Sequence, residues 1–348
     1  MKKRLKQVVG IDVAQKELVV TLGKLHEDLS IELYAYKVFP NKEKGFEVLL
    51  KWVEKLTDKE LTTHYVMEAT GVYHQKFAYY LDALKLNQSI VLPNKISNYM
   101  RTLDLKTITD KSCSEAIARF GLERQLDLWK KPKELYKRLQ QLTRERNQIV
   151  EERVVVKNQL HAEEAEAEPN TSSVNRIQTR IKFLNVQEQE IKRDIDLMII
   201  KDEAISKEIE TICTIPGVGK LTAVTVLAET NGFELIRNKK QLVSYAGLDV
   251  KEKQSGTSIK GKPSISKKGN RNLRKAMHLP ALSAIKHDDH FKEIFVRLVS
   301  KNGIKMKGVV AVQRKLLELI YILHKNKTAY KKHYEENKRG QLQVVTTL

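Results

Sequence analysis

A chain of 348 residues with 63 Lys+Arg against 43 Asp+Glu carries a formal charge of +20, an excess that points to a polyanionic partner, nucleic acid before a membrane surface. Its 41% hydrophobic and 30% charged content are ordinary for a soluble protein of two or three domains, and no run of about 18 apolar residues exists to span a bilayer. Aromatic content of 6% argues against a single-strand binder built on base stacking. Cys113 and Cys213 lack the spacing of a disulfide framework or a zinc site. The basic start Met1 to Lys6 leads straight into a strand, without the apolar core of a signal peptide. These features fit a protein of the reducing cytoplasm.

In chain order, Val8, Val9 and Ile11 make one apolar run and Leu18, Val19, Val20 and Leu22 a second, which predicts a hairpin with Asp12 at the tip of its first strand. An Asp there is commonly a turn former; held by a sheet, it also suits a metal-bound phosphodiester reaction. A third strand is predicted over Ile31 to Val38. Asn41 is the expected cap of a helix with apolar positions Phe46, Leu49, Leu50, Val53 and Leu56. His64 to Glu68 reads as a strand that again ends in an acid, before Gly71. A helix over Tyr73 to Leu86, a strand over Ser89 to Leu92 and a helix over Lys95 to Leu103 follow, which together suit a mixed sheet with flanking helices. Thr109 is the expected cap of a helix through Phe120, with Asp110 in its first turn. The helix dipole alone accounts for an acid there. Asp12, Glu68 and Asp110 are nonetheless hard oxygen donors of the kind Mg²⁺ takes, and a pair of such ions suits both oxygens of a phosphodiester exchange.

From residue 133 the pattern changes. Leu135, Leu139, Leu142, Ile149, Val156 and Leu160 keep the alternating four-three spacing, with Arg146 and Arg153 on the remaining seam positions. Beyond an acidic, Pro-containing break the spacing resumes at Ile177, Ile181, Leu184, Ile191, Ile195 and Met198, with Glu188 on the seam. The arms match in length, which predicts an antiparallel coiled-coil stalk. Ile215-Pro-Gly217-Val-Gly219-Lys220 then precedes an apolar helix, like half of a helix-hairpin-helix element whose backbone N–H groups suit a phosphate. Between 260 and 275 stand Lys260, Lys262, Lys267, Lys268, Arg271, Arg274 and Lys275 with no acid, a phosphate-contact surface in composition. Composition leaves Ser255, Ser258 and Ser264 as equal candidates for a serine that attacks phosphorus. Ala276 to about Lys327 reads as helical.

Taken together, Gly10-Ile-Asp12-Val-Ala, Met67-Glu68-Ala-Thr-Gly71, Thr109-Asp110-Lys, Phe120-Gly-Leu-Glu-Arg124, Ile215-Pro-Gly-Val-Gly219, Tyr245-Ala-Gly-Leu248, Ser255-Gly256 and Ile265-Ser-Lys-Lys-Gly-Asn-Arg271 resemble the insertion-sequence transposases guided by a bridge RNA. Those proteins have an N-terminal RuvC-like (ribonuclease H-like) DEDD domain and a C-terminal serine-bearing domain. The resemblance implies a recombinase in which Asp12, Glu68 and Asp110 ligate Mg²⁺ and Ser255 forms a covalent link to DNA. It also implies a structured noncoding guide RNA and a homo-oligomer, dimer or tetramer, built through the stalk. It divides the chain into a RuvC-like domain over 1–128, a stalk over 129–212, a mostly helical serine domain over 213–335 and a tail over 336–348. One departure stands out. The family's fourth acid lies three residues beyond Asp110, where this chain has Cys113, with Glu115 the nearest acid able to take that part.

Overall fold

The computed structural model describes residues 4–103, 106–234, 236–252, 254–255, 259–261 and 264–332. They fall into two compact units, Met1–Lys131 and Pro132–Leu348.

In the first unit, β1 (Arg4–Val13), β2 (Glu17–His26) and β3 (Ile31–Pro40) are followed by α1 (Glu43–Leu56), β4 (Thr63–Glu68), α2 (Gln75–Ala83), β5 (Gln88–Val91), α3 (Pro93–Met100) and α4 (Asp110–Glu123). The sheet order is β3-β2-β1-β4-β5. β1, β2 and β3 pair antiparallel, while β4 runs parallel to β1 and to β5. This is a five-stranded mixed sheet with flanking helices, as the sequence predicts.

Strand alternation decides what each face receives. Val9, Ile11 and Val13 of β1 join Tyr65 and Met67 of β4 in a core with Phe46 and Leu49 of α1 and Phe77 of α2. Val8 and Val66 point the other way, toward Ile96 of α3 and Ala116 and Ile117 of α4. By the same parity Asp12 and Glu68 lie on the α4 face. α4 can come close there because β1 offers Gly10, where an added Cβ would lie 2.3 Å from Ala118 N and 2.5 Å from Ser114 O. The Thr21 and Ser114 hydroxyls, 2.7 Å apart and buried, fasten α4 to β2 as well.

One local expectation is corrected. The cap residue of α1 is Lys42, with no side-chain hydrogen bond; Asn41 instead turns its amide toward two backbone carbonyls near the acids.

The second unit opens with α5 (Glu134–Glu164) and α6 (Thr171–Ile200), packed against each other as a hairpin. Its antiparallel sense follows from two ion pairs, Arg146 with Glu188 and Glu152 with Arg180, whose numbers run in opposite directions. Seam residues Leu139, Ile149, Val156, Leu184, Ile191 and Ile195 are buried. The polar seam positions meet one another: Arg146 Nη2 is 2.8 Å and Lys192 Nζ 3.0 Å from Glu188 Oε1, and Arg153 donates to the other oxygen.

Then come α7 (Glu203–Cys213), α8 (Lys220–Thr230), α9 (Lys239–Tyr245), β6 (Val250–Lys251), β7 (Gln254–Ser255), β8 (Ile259–Lys260), β9 (Ser264–Ile265), α10 (Arg271–Ala276), α11 (His278–His287), α12 (Asp289–Asn302) and α13 (Lys305–Asn326). Breaks in the last helical stretch have local causes: Asp288 caps α12 by accepting from His290 N and Phe291 N, and Gly303 ends it at φ +68°. The hairpin is less separate than boundaries at 129–212 and 213–335 imply. Its residues Tyr136, Leu139, Ile191 and Ile195 share one core with Ile205 and Ile209 of α7 and Val224 and Leu227 of α8, because a two-helix hairpin leaves apolar surface uncovered at its base. The expected tail over 336–348 lies outside the described residues.

Candidate active site

Asp12 and Glu68 come level because β1 and β4 are parallel and in register through Ile11 and Met67, one residue before each acid. Asp110 arrives from the face above, as the first residue of α4. Its position is fixed by Thr109, whose side chain accepts from Ser112 N while the Ser112 hydroxyl accepts from Thr109 N. Electrostatics ties the three together. Burial and then the Asp110 charge push the Asp12 carboxyl above the ordinary range, with a hydrogen bond from the Val13 backbone opposing them. Burial and then the Asp12 charge raise Glu68. Asn41 braces the same end of the sheet: its Nδ2 donates to Ala14 O at 2.9 Å, just after Asp12, and to Tyr73 O at 3.2 Å, in the loop after Glu68. The sequence hid this role because Asn before a helix reads as a cap.

Among the described residues no group of three or more His, Cys, Asp or Glu side chains stands close enough together to hold a metal ion as placed. What converges is a set of carboxylates that feel one another's charge, a donor set that a hard divalent cation suits.

Ser255 lies in β7, which pairs with β8 through Gln254–Lys260 and Ser255–Ile259. β6 pairs with β9 through Val250–Ile265 and Lys251–Ser264. These two short antiparallel pairs, together termed the serine ribbon, stand where the sequence suggests only a cation-flanked loop. Gly256 and Ser258 lie outside the described residues, as does Lys262, and only the backbone of Ser255 and Lys260 is described. Among the cations singled out, Lys267, Lys268 and Arg271 are exposed. Arg274, grouped with them by composition, donates to Ala246 O at 2.7 Å, and Lys275 pairs with Glu151. Gly217, at φ +84°, is required for packing, since a Cβ there would lie 2.6 Å from Pro280 O and 2.8 Å from Ala284 N. Gly219 is exposed at the start of α8, and Lys220 beside it pairs with Asp196 at 2.5 Å. No helix among the described residues is long and apolar enough to cross a membrane.

Residues 9–163 match the transposase family model for the IS110 DEDD domain, and residues 209–295 match that of the IS116/IS110/IS902 transposase family. The chain belongs to the IS110 family of transposases. It resembles the pilin gene-inverting proteins of Moraxella bovis and Moraxella lacunata, each 26% identical over 333 residues that span 95% of this chain and 99% of the relative. A protein of insertion element IS110 from Streptomyces coelicolor is 28% identical over 119 residues, 34% of this chain and 29% of that protein. A solved T. thermophilus RuvC in complex with a Holliday junction substrate matches over 35% of this chain and 99% of that chain, at 11% identity and a TM-score of 0.25. As an IS110-family transposase, the protein is an enzyme that cuts and rejoins DNA.

In this transposase Cys113 occupies the place where the family has its fourth acid. Burial first, and then the charges of Asp12, Glu68 and Asp110, push its thiol up to about 11, so the position feels all three acids while contributing no negative charge at neutral pH. Glu115 is 3.9 Å from Lys111, one turn back on α4, and is not among the groups that shift Asp12 or Glu68. Cys113→Asp is therefore expected to lower the Mg²⁺ concentration for half-maximal recombination by about tenfold, and Glu115→Gln to leave it unchanged. A Mg²⁺ titration of both variants checks this; the reverse pattern would make Glu115 the fourth ligand.

Proposed function

We propose that this IS110-family transposase exchanges DNA strands by serine chemistry assisted by Mg²⁺. Asp12, Glu68 and Asp110 would hold the ion and Ser255 would be the nucleophile. The observation that carries the reading is the placing of the three acids at one sheet end, two of them raised above the ordinary carboxylate range by burial and then by a neighbouring acid, Asp110 for Asp12 and Asp12 for Glu68. Holding such charges together opposes folding, and a divalent cation offsets that cost. Bound Mg²⁺ would polarise a phosphoryl oxygen and neutralise the charge that builds up during displacement.

The chain's own part is to place the hydroxyl. Ser255 Oγ loses its proton and bonds to phosphorus, a deoxyribose P–O bond breaks, and the departing sugar oxygen takes up a proton. A sugar hydroxyl of the partner strand then displaces the serine in the reverse sense, so the number of phosphodiesters is conserved. The pilin gene-inverting relatives fit a reaction that rearranges DNA rather than degrading it. Lys267, Lys268 and Arg271 are suited to the phosphate backbone, as is the start of α8 at Gly219. Such contacts read no sequence, so a structured guide RNA encoded beside the gene would supply target choice by base pairing. The α5–α6 hairpin, as a coiled coil, would join copies into a dimer or tetramer that brings the acids of one protomer to the serine of another.

Cys113 favours one competing reading, a relative that binds junctions and no longer cuts. Excision of a plasmid-borne element carrying both native flanks separates the two. The proposal expects excision by the unmutated protein and its loss in Ser255→Ala; excision that persists at the unmutated rate in Ser255→Ala would remove the serine from the mechanism.

A further inference from the structure

Glu229 is the one charged residue of α8 beyond Lys220, and its side chain is fully buried. It is also the most heavily engaged carboxylate among the described residues of its unit. Arg144 of α5 grips it bidentately, Nε to Oε1 at 2.7 Å and Nη2 to Oε2 at 2.8 Å. Asn270 Nδ2 donates to Oε2 at 2.7 Å, and weaker bonds arrive from Asn272 at 3.3 Å and Gln140 at 3.3 Å. Burial works against the charge, but the bonds from Arg144 and Asn270 outweigh it and hold the carboxyl below its ordinary range.

What this carboxylate joins is specific. Asn270 closes the foot of the serine ribbon: its backbone N–H donates to Tyr245 O at 2.6 Å, and the next rungs are Lys267 N to Gly247 O at 3.1 Å and Ser266 N to Asp249 O at 2.8 Å. β6–β9 follows, and β7, which holds Ser255, comes two residues after β6 along the chain. The Tyr245 hydroxyl in turn donates to Glu229 O at 3.0 Å. Gly269, between the cations and Asn270, is held so closely that a Cβ would lie 2.4 Å from Tyr245 O. Both strands of the ribbon are thus moored at one residue of α8, and the same carboxylate is locked to α5.

We propose that Glu229 is a positioning residue for the transposition chemistry: through Asn270 and Tyr245 it fixes the foot of the ribbon that carries Ser255, and through Arg144 it makes the direction of that ribbon depend on the α5–α6 hairpin. Strands of two residues make few ladder bonds of their own, so the ribbon depends on what holds its foot. The hairpin that joins protomers would then also set where the serine points. This rests on Ser255 being the nucleophile.

Glu229→Ala would remove the bonds to Arg144, Asn270, Asn272 and Gln140 all at once and is a poor test. Asn270→Ser is a sharper one. A serine still caps α10, where Asn270 Oδ1 accepts from Leu273 N at 2.9 Å, but it is too short to reach Glu229, which keeps Arg144. The full-length variant is expected to melt within a few degrees of the parent, while backbone amides of β6 and β9 exchange at least tenfold faster and excision of a plasmid-borne element with its native flanks falls at least tenfold. Asn270→Asp, which faces Glu229 with a like charge, is expected to do the same or worse. Unchanged amide exchange in Asn270→Ser, or excision within twofold of the parent, would overturn the proposal. Excision that survives Ser255→Ala would instead defeat the serine reading, and the exchange rates would still report on the mooring.

Discussion

Asp12→Asn is expected to lower recombination by about two to three orders of magnitude and, in chelator-containing buffer, to raise the melting temperature. The two effects have one origin. The folded-state carboxyl of Asp12 lies above its ordinary value because burial and then Asp110 disfavour its charge. A carboxyl raised in this way favours the fold while protonated; that contribution is full below the ordinary carboxylate range and is lost as pH rises through the raised value. At neutral pH the ionised group therefore opposes folding, and an uncharged side chain of the same shape relieves the opposition while removing a ligand. Glu68→Gln should behave alike, its shift coming from burial and then Asp12. Because the acids act as one unit, the double variant should lose little activity beyond either single one. Excision frequency and thermal melts decide it: a variant that keeps its activity, or that melts lower, would contradict a shared charged site.

The largest effect on stability is expected from Glu188→Ala, a loss of about 3–5 kcal/mol. Its carboxylate is buried on the hairpin seam against Arg146, Arg153 and Lys192. Burial alone would push its carboxyl up, yet the hydrogen bonds from those three cations outweigh it and leave it at about 2. The alanine variant strands two partly buried guanidinium groups on an apolar seam. The parent's stability should carry the matching pH signature: a depressed carboxyl contributes fully above its ordinary value and loses that contribution as pH falls toward about 2. Urea unfolding across that range measures it. Replacing the whole cluster, with Arg146→Met and Arg153→Leu added to Glu188→Leu, should recover most of the loss. A loss under about 1 kcal/mol in the single variant would mean that water already screens the cluster.

Much of this architecture was legible because its signals are periodic. Strand alternation in Val8 to Val13 and Tyr65 to Glu68 places both acids, and the four-three spacing locates the seam of α5 and α6, including its charged positions. The Thr109 cap was readable too, since Thr before an acidic first turn has a local cause. The parts that escaped depend on contacts distant in sequence. The serine ribbon has strands of two residues, which leave no alternation to detect. Asn41 reads as a cap until the sheet brings Ala14 and Tyr73 to its amide. For Arg274 and Lys275, composition could not separate a phosphate contact from a bond to Ala246 or to Glu151. Glu229 did leave a trace, as an acid in a helix whose other residues from Ala223 to Thr230 are apolar or small. A lone charge in such a helix asks for a buried partner, and here it has several.

The most direct measurement is a covalent one. The full-length protein, incubated with nicked element-end DNA, its flanking RNA and Mg²⁺, is digested and the DNA-linked peptide is sequenced by mass spectrometry. The account predicts a phosphodiester to Ser255 that disappears with chelator, in Asp12→Asn and in Ser255→Ala. A link to another residue, or one whose yield ignores both chelator and Asp12, would contradict it.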